Sequence, residues 1–132
     1  MIILDTHIWI WHIQDDRRLT KKLADLIRSN ESAGIGVSAI SLWEVAKSVQ
    51  RGHLYLPTDV EIWLEDAVAY PGIVVIPLNT RIAVESTRLP GSFHKDPADQ
   101  LIVATSRVYD RPLLTVDTLI LAYPHVRLLP TK

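Results

Sequence analysis

The sequence predicts an α/β fold: a central, mostly parallel sheet with helices on both faces. Short apolar runs of strand length alternate with segments of helical periodicity along all 132 residues. The runs are continuously apolar rather than alternating, as in strands buried on both faces. No repeat, low-complexity stretch or linker interrupts the pattern, so residues 1–132 read as a single domain.

The elements follow in order. Ile2-Ile3-Leu4 is the first strand, and a helix-like segment carrying Trp9 and Trp11 comes after it. Thr20 caps a helix over "KKLADLIRSN", with Leu23, Leu26 and Ile27 at helical spacing. "IGV" at 35–37 is the second strand. Ser38 then opens "AISLWEVAKSVQRG", where Ala39, Leu42, Trp43, Ala46 and Val49 form an apolar stripe and Gly52 a stop. "TDVEIWLEDAVAY" from Thr58 is a further helix, ended by Pro71 and Gly72. "IVVIPL" from Ile73, β-branched through its first four residues, reads as the clearest buried strand. "TRIAVESTRL" is a helix, "PGSFHK" a loop, and "DPADQLIVATSRVYD" a further helix. "PLLTV" at 112–116 and "VRLLP" at 126–130 complete the strands.

Composition removes several kinds of chemistry. There are no cysteines, which excludes disulfides, thiolate metal sites and thiol nucleophiles, and a cytoplasmic location fits. The N-terminus "MIILDTHIWIWHI" lacks a basic leader, and Asp5 and His7 break its apolar run; it reads as neither a signal peptide nor a membrane span. A net charge of −1, from 14 basic and 15 acidic residues, argues against a passive nucleic-acid coat. It leaves room for a site where bound cations bring the positive charge. The five glycines are scattered, so no phosphate-cradling loop is present.

In such a sheet, ligands bind beyond the carboxyl ends of the strands. Asp5 follows the first strand, Asp117 the strand "PLLTV", and Glu44 lies about two turns into the helix after "IGV"; Asp96 and Asp99 open another helix. Each has a plain structural reading. Asp5 and Asp117 stand where an Asp N-cap contributes roughly 1 kcal/mol, and "DPAD" reads as Asp96 at N-cap with Pro97 at N1. Glu44 shares a helix face with Ser41, Lys47 and Arg51, which fits a solvated face with a Glu44–Lys47 pair. Asp99 has no capping duty.

The joint reading differs. Two carboxylates about 4 Å apart repel by roughly 4 kcal/mol at an effective dielectric of 20, so a cluster of four needs protons or a cation. Hard oxygen ligands without cysteine select Mg²⁺ or Mn²⁺, which commonly meet phosphates. The histidines show no metal-ligand spacing and read as surface or satisfied buried residues. The four tryptophans read as core or dimer packing.

Four segments in order, "LDTHIWIW", "SAISLWEVAKSVQRGHL", "HKDPADQLIVATS" and "LLTVD", resemble the PIN domain, specifically the VapC-type toxins of toxin–antitoxin pairs. The resemblance spans essentially the whole chain and implies a PIN-like fold. It implies that Asp5, Glu44, Asp99 and Asp117 are the metal-binding acids of a Mg²⁺- or Mn²⁺-dependent endoribonuclease, with Asp96 an extra acid. Thr6 and Thr115 match supporting hydroxyl positions. Lys47, Arg51 and Lys95 are candidate phosphate contacts by their nearness in sequence to the acids. The resemblance further implies an RNA substrate, a homodimer and a VapB-like antitoxin whose arginine blocks the site. Cleavage would leave a 5′-phosphate and a 3′-hydroxyl.

Two rivals fit the pattern less well. A phosphoacceptor receiver domain pairs two acids after its first strand and places an Asp after its third; here Asp5 stands alone and "IVVIPLN" ends without one. A non-catalytic PIN-like module, whose acids serve as a docking site, shares every motif and differs only in activity.

Overall fold

The computed structural model describes residues 1–131. Four strands, β1 (Ile2–Leu4), β2 (Ile35–Ser38), β3 (Ile73–Ile76) and β4 (Leu113–Leu114), form one parallel sheet in the order β3-β2-β1-β4. Seven helices connect and flank them: α1 (Thr6–Gln14), α2 (Lys21–Ser29), α3 (Ala39–Gln50), α4 (Val60–Val68), α5 (Thr80–Ser86), α6 (Pro97–Tyr109) and α7 (Thr118–Leu121).

The twofold alternation of a strand sorts the core. Ile2, Leu4, Ile35 and Val37 face one layer, where they pack with Ile8 and Trp9 of α1, Leu23 and Ile27 of α2, and Trp63 and Ala67 of α4. Ile3, Ile76 and Leu113 face the other, against Ile82 of α5, Ile102 and Val103 of α6, and Ile120 of α7. The predicted sheet with helices on both faces is the observed one. Among the described residues no helix is long and apolar enough to cross a membrane.

Three expectations about elements change. β3 is an edge strand, paired only with β2, and Val74 is 47% exposed; β-branching marked a strand but not its place in the sheet. "VRLLP" forms a single parallel bridge, Leu128 to Leu113, in place of a strand; it is held by the Leu113 N–H donating to the Arg127 carbonyl and the Leu129 N–H donating to the Leu113 carbonyl, both at 2.9 Å. The apolar stripe of α3 is also misplaced. Ser41 and Val45 are fully buried, while Trp43 is 53% exposed. The reason is that α3 touches α1 and α4 on one side and α6 on the other, so it bridges the two layers at the end of the sheet instead of lying flat on one.

The connections put the topological switch point beside β1. The chain moves outward from β1 to β2 and β3, then returns through α5 and α6 to β4 on the other side of β1. The carboxyl ends of β1 and β4 are therefore adjacent, with the N-termini of α1 and α7 directly above them.

Candidate functional site

Asp5 ends β1 and caps α1, accepting the Thr6 N–H at 2.8 Å through Oδ1. Its second oxygen accepts the Thr115 hydroxyl at 2.6 Å. Thr115 Oγ1 in turn accepts the Asp117 N–H at 3.0 Å. One hydroxyl thus ties the acid after β1 to the acid after β4. Asp117 Oδ1 caps α7 through the N–H groups of Leu119 and Ile120. The capping reading and the clustering reading hold together at both positions.

Glu44 does not face open solvent. It is partly buried, and Oε1 accepts the hydroxyl of Thr6. The Thr6 and Ser41 hydroxyl oxygens lie 2.7 Å apart. A hydroxyl has one proton to give, so with Thr6 donating to Glu44, Ser41 donates to Thr6, and the fully buried Ser41 anchors the chain of bonds. The expected Glu44–Lys47 pair is replaced by another: Lys47 Nζ donates to Gln50 Oε1 at 2.7 Å.

Asp96 caps α6 as its sequence predicts, with Oδ1 accepting from Ala98 and Asp99 N–H groups and Pro97 opening the helix. Asp99, one turn in, points to His94, whose Nε2 lies 2.6 Å from Oδ2. His94 and Ser41 are the two residues that sequence reasoning missed. A search for metal-ligand spacing overlooks a histidine that holds a carboxylate, although its place before the "DPAD" helix opening was the available signal. Ser41 looked like part of a solvated face.

These acids share one electrostatic field. Burial pushes Glu44 up to about 7; the Thr6 hydrogen bond opposes that, and Asp5, Asp99 and Asp96 reinforce it. Burial raises Asp5, against its two hydrogen bonds and the nearby His7, with Asp117 adding repulsion. Burial raises Asp99 as well, opposed by His94 and reinforced by Asp96, Asp5 and Asp117. Five acids from four separated segments therefore act on one another at the carboxyl edge of β1 and β4. Lys95 stands exposed beside Asp96, and Arg51 lies exposed at the end of α3, two turns beyond Glu44.

Among the described residues, no three acids or histidines converge into a ready-made ligand set. Each carboxylate instead rests on a local donor: Thr115 for Asp5, Thr6 for Glu44, His94 for Asp99, and backbone N–H groups for Asp117. The donor set is nevertheless all oxygen and mutually repelling, with three members held above their ordinary ionisation range. That is the chemistry a hard divalent cation fits.

The PIN domain family matches residues 2–125. Over 126 residues, 96% of this chain and 94% of the relative, the sequence is 28% identical to Ribonuclease VapC22 of Mycobacterium tuberculosis. Solved structures with the same fold include VapBC2 of Rickettsia felis bound to a promoter DNA fragment (TM-score 0.73, 17% identity, 98% of both chains). DNA-bound VapBC of Salmonella typhimurium matches over the full length of both chains, at a TM-score of 0.73 and 17% identity. A toxin–antitoxin complex of Klebsiella pneumoniae matches at a TM-score of 0.68 and 18% identity, over 100% of this chain and 98% of that one.

Proposed function

The chain belongs to the PIN domain family, and from that premise we propose that it is a metal-dependent endoribonuclease, the toxin of a type II toxin–antitoxin pair. The observation that carries the reading is the gathering of Asp5, Glu44, Asp96, Asp99 and Asp117 into one electrostatic field at the switch point of the sheet. The similarity to a named ribonuclease over nearly the whole chain supports it.

In this reading Asp5, Glu44, Asp99 and Asp117, with Asp96 at the margin, would hold Mg²⁺ or Mn²⁺. When bound, such ions lower the pKa of water and neutralise charge developing on a phosphodiester. The chain's own residues supply the positioning. Thr115 and the Thr6 N–H fix the Asp5 carboxylate, Thr6 and Ser41 hold Glu44, and His94 holds Asp99. Burial holds Glu44 up to about 7, so it would give up its proton to solvent on taking a cation.

The partners follow the same premise. One solved structure of the same fold is a toxin–antitoxin complex by name, and an antitoxin segment carrying an arginine would pair with these carboxylates through strong charge-assisted hydrogen bonds. A homodimer is supported by the exposed apolar side chains of Trp43 (53%) and Leu78 (57%), which line one cavity between α3, α5 and α6.

The test is expression of the wild-type chain and of Asp5→Asn, each without a partner, followed by mapping of RNA ends. Growth arrest with new 5′-phosphate ends in the wild type alone is expected. Arrest by both, or intact RNA with both despite soluble expression, would move the assignment to the non-catalytic docking module.

A further inference from the structure

A second feature lies beside the acids. Between α1 and the connection from α3 to α4 is a cleft of about 560 Å³, within the range of roughly 300–1,000 Å³ that small ligands occupy. Its walls carry the rings of His7, Trp11, His53 and Tyr55, together with Arg18 and Asp16. The Arg18 guanidinium sits 5.0 Å from the centre of the Trp11 ring and pairs with Asp16 at 2.8 Å. Tyr55 is 88% exposed, so its ring contributes almost nothing to the core. A wall of aromatic rings among polar groups suits a flat ligand with apolar faces and a polar edge, which is the description of a nucleobase.

His7, which lines the cleft, is the residue that brings it nearest in the chain to the acids. This residue is two positions after Asp5, and its imidazole is near enough to favour the Asp5 carboxylate. Trp11 stands four residues further along α1, about 6 Å at 1.5 Å per residue. That is roughly two stacked-base steps of about 3.4 Å each.

From this juxtaposition we infer that the cleft is a stacking subsite for an unpaired base of single-stranded RNA, close to the phosphodiester at the acids. The inference rests on the nuclease reading above. It assigns Tyr55 the stacking face, leaves the Arg18 guanidinium on the Trp11 ring as the cationic wall, and places His7 and His53 at the edge.

The test measures binding of a fluorescein-labelled single-stranded RNA dodecamer by anisotropy, in an Asp5→Asn background that keeps the strand intact. Tyr55→Ala is expected to weaken binding about tenfold, whereas Tyr55→Phe, which keeps the ring, retains it. Adenosine 5′-monophosphate should compete, and ribose 5-phosphate, which lacks the base, should not. Unchanged affinity in Tyr55→Ala, or equal competition by ribose 5-phosphate, overturns the subsite. So does loss of antitoxin binding alone in that variant, which makes the cleft a protein-docking site. With Asp5 restored, intact RNA alongside ring-dependent binding would count against the nuclease and leave the subsite standing. Cleavage with an unchanged KM in Tyr55→Ala would do the reverse.

Discussion

His94 Nε2 lies 2.6 Å from Asp99 Oδ2, while the backbone carbonyl of the same histidine accepts the side-chain amide of Gln100 at 3.0 Å. The loop before α6 is thereby closed onto its first turn, and the Asp99 carboxylate is held by a partner that is not itself an acid. A side chain that orients a metal-binding carboxylate typically contributes 10–100-fold to affinity. His94→Ala is therefore expected to weaken Mn²⁺ binding at least tenfold by titration calorimetry. His94→Gln, which keeps a donor, should lose less. Equal affinity in both variants and the wild type would show that the histidine only closes the loop.

Asp5→Asn separates charge from cap. An asparagine oxygen still accepts the Thr6 N–H, so α1 keeps its start. Thr115 must give up its donation to Asp5, at about 1 kcal/mol for one altered buried hydrogen bond. Removal of a carboxylate that burial disfavours offsets this. The expected outcome is a melting temperature within a few degrees of wild type together with loss of RNA cleavage. Residual cleavage near the wild-type rate would remove Asp5 from the catalytic set.

How far the sequence foretold this arrangement depends on whether the information was local. Asp5, Asp96 and Asp117 were readable because each marks a strand end or a helix start, and all three cap as expected. The parallel sheet was readable from continuous apolar runs. Glu44 was harder: its helix-face neighbours, Ser41, Lys47 and Arg51, describe a solvated surface. Only the bridging position of α3 between two layers turns Ser41 and Glu44 inward. The same cause exposes Trp43. β3 illustrates a second limit, since edge or centre is decided by the order of strands distant in sequence.

The exposure of Trp43 has its own test. With Leu78 it lines an apolar cavity that runs in to Ile82 of the second core, while Trp43 and Leu78 themselves belong to neither core, and large exposed apolar groups mark association surfaces. Trp43→Arg places a charge there without touching the core. A dimeric wild type and a monomeric, normally folded variant are expected in sedimentation analysis. A wild-type monomer at all concentrations would remove the homodimer from the reading.

The most direct physical consequence of the acidic cluster is its effect on stability against pH. Glu44 is held at about 7 in the folded chain, against an ordinary 4.5. Below the lower value it is protonated whether folded or not, and it costs nothing. Between the two, the unfolded chain has released its proton and the folded chain retains it. Folding then takes up protons, and stability falls as pH rises. Above about 7 the penalty is complete, on the order of 2–3 kcal/mol for Glu44. Asp5 and Asp99, also raised by burial, add in the same direction. Burial lowers His12, which contributes in the opposite sense over this range, so the acids' share is read from the difference between the metal-free wild type and a variant that lacks one of them. Glu44→Gln cannot ionise, and its side-chain oxygen can still accept from Thr6. Its melting temperature should exceed that of the wild type at pH 8 and converge with it near pH 5. Added Mn²⁺ reverses the order at pH 8, because the cation offsets repulsion that the variant has already lost. Parallel melting curves for the two proteins across this range, with and without Mn²⁺, would mean that Glu44 neither carries the buried charge nor shares in a cation site.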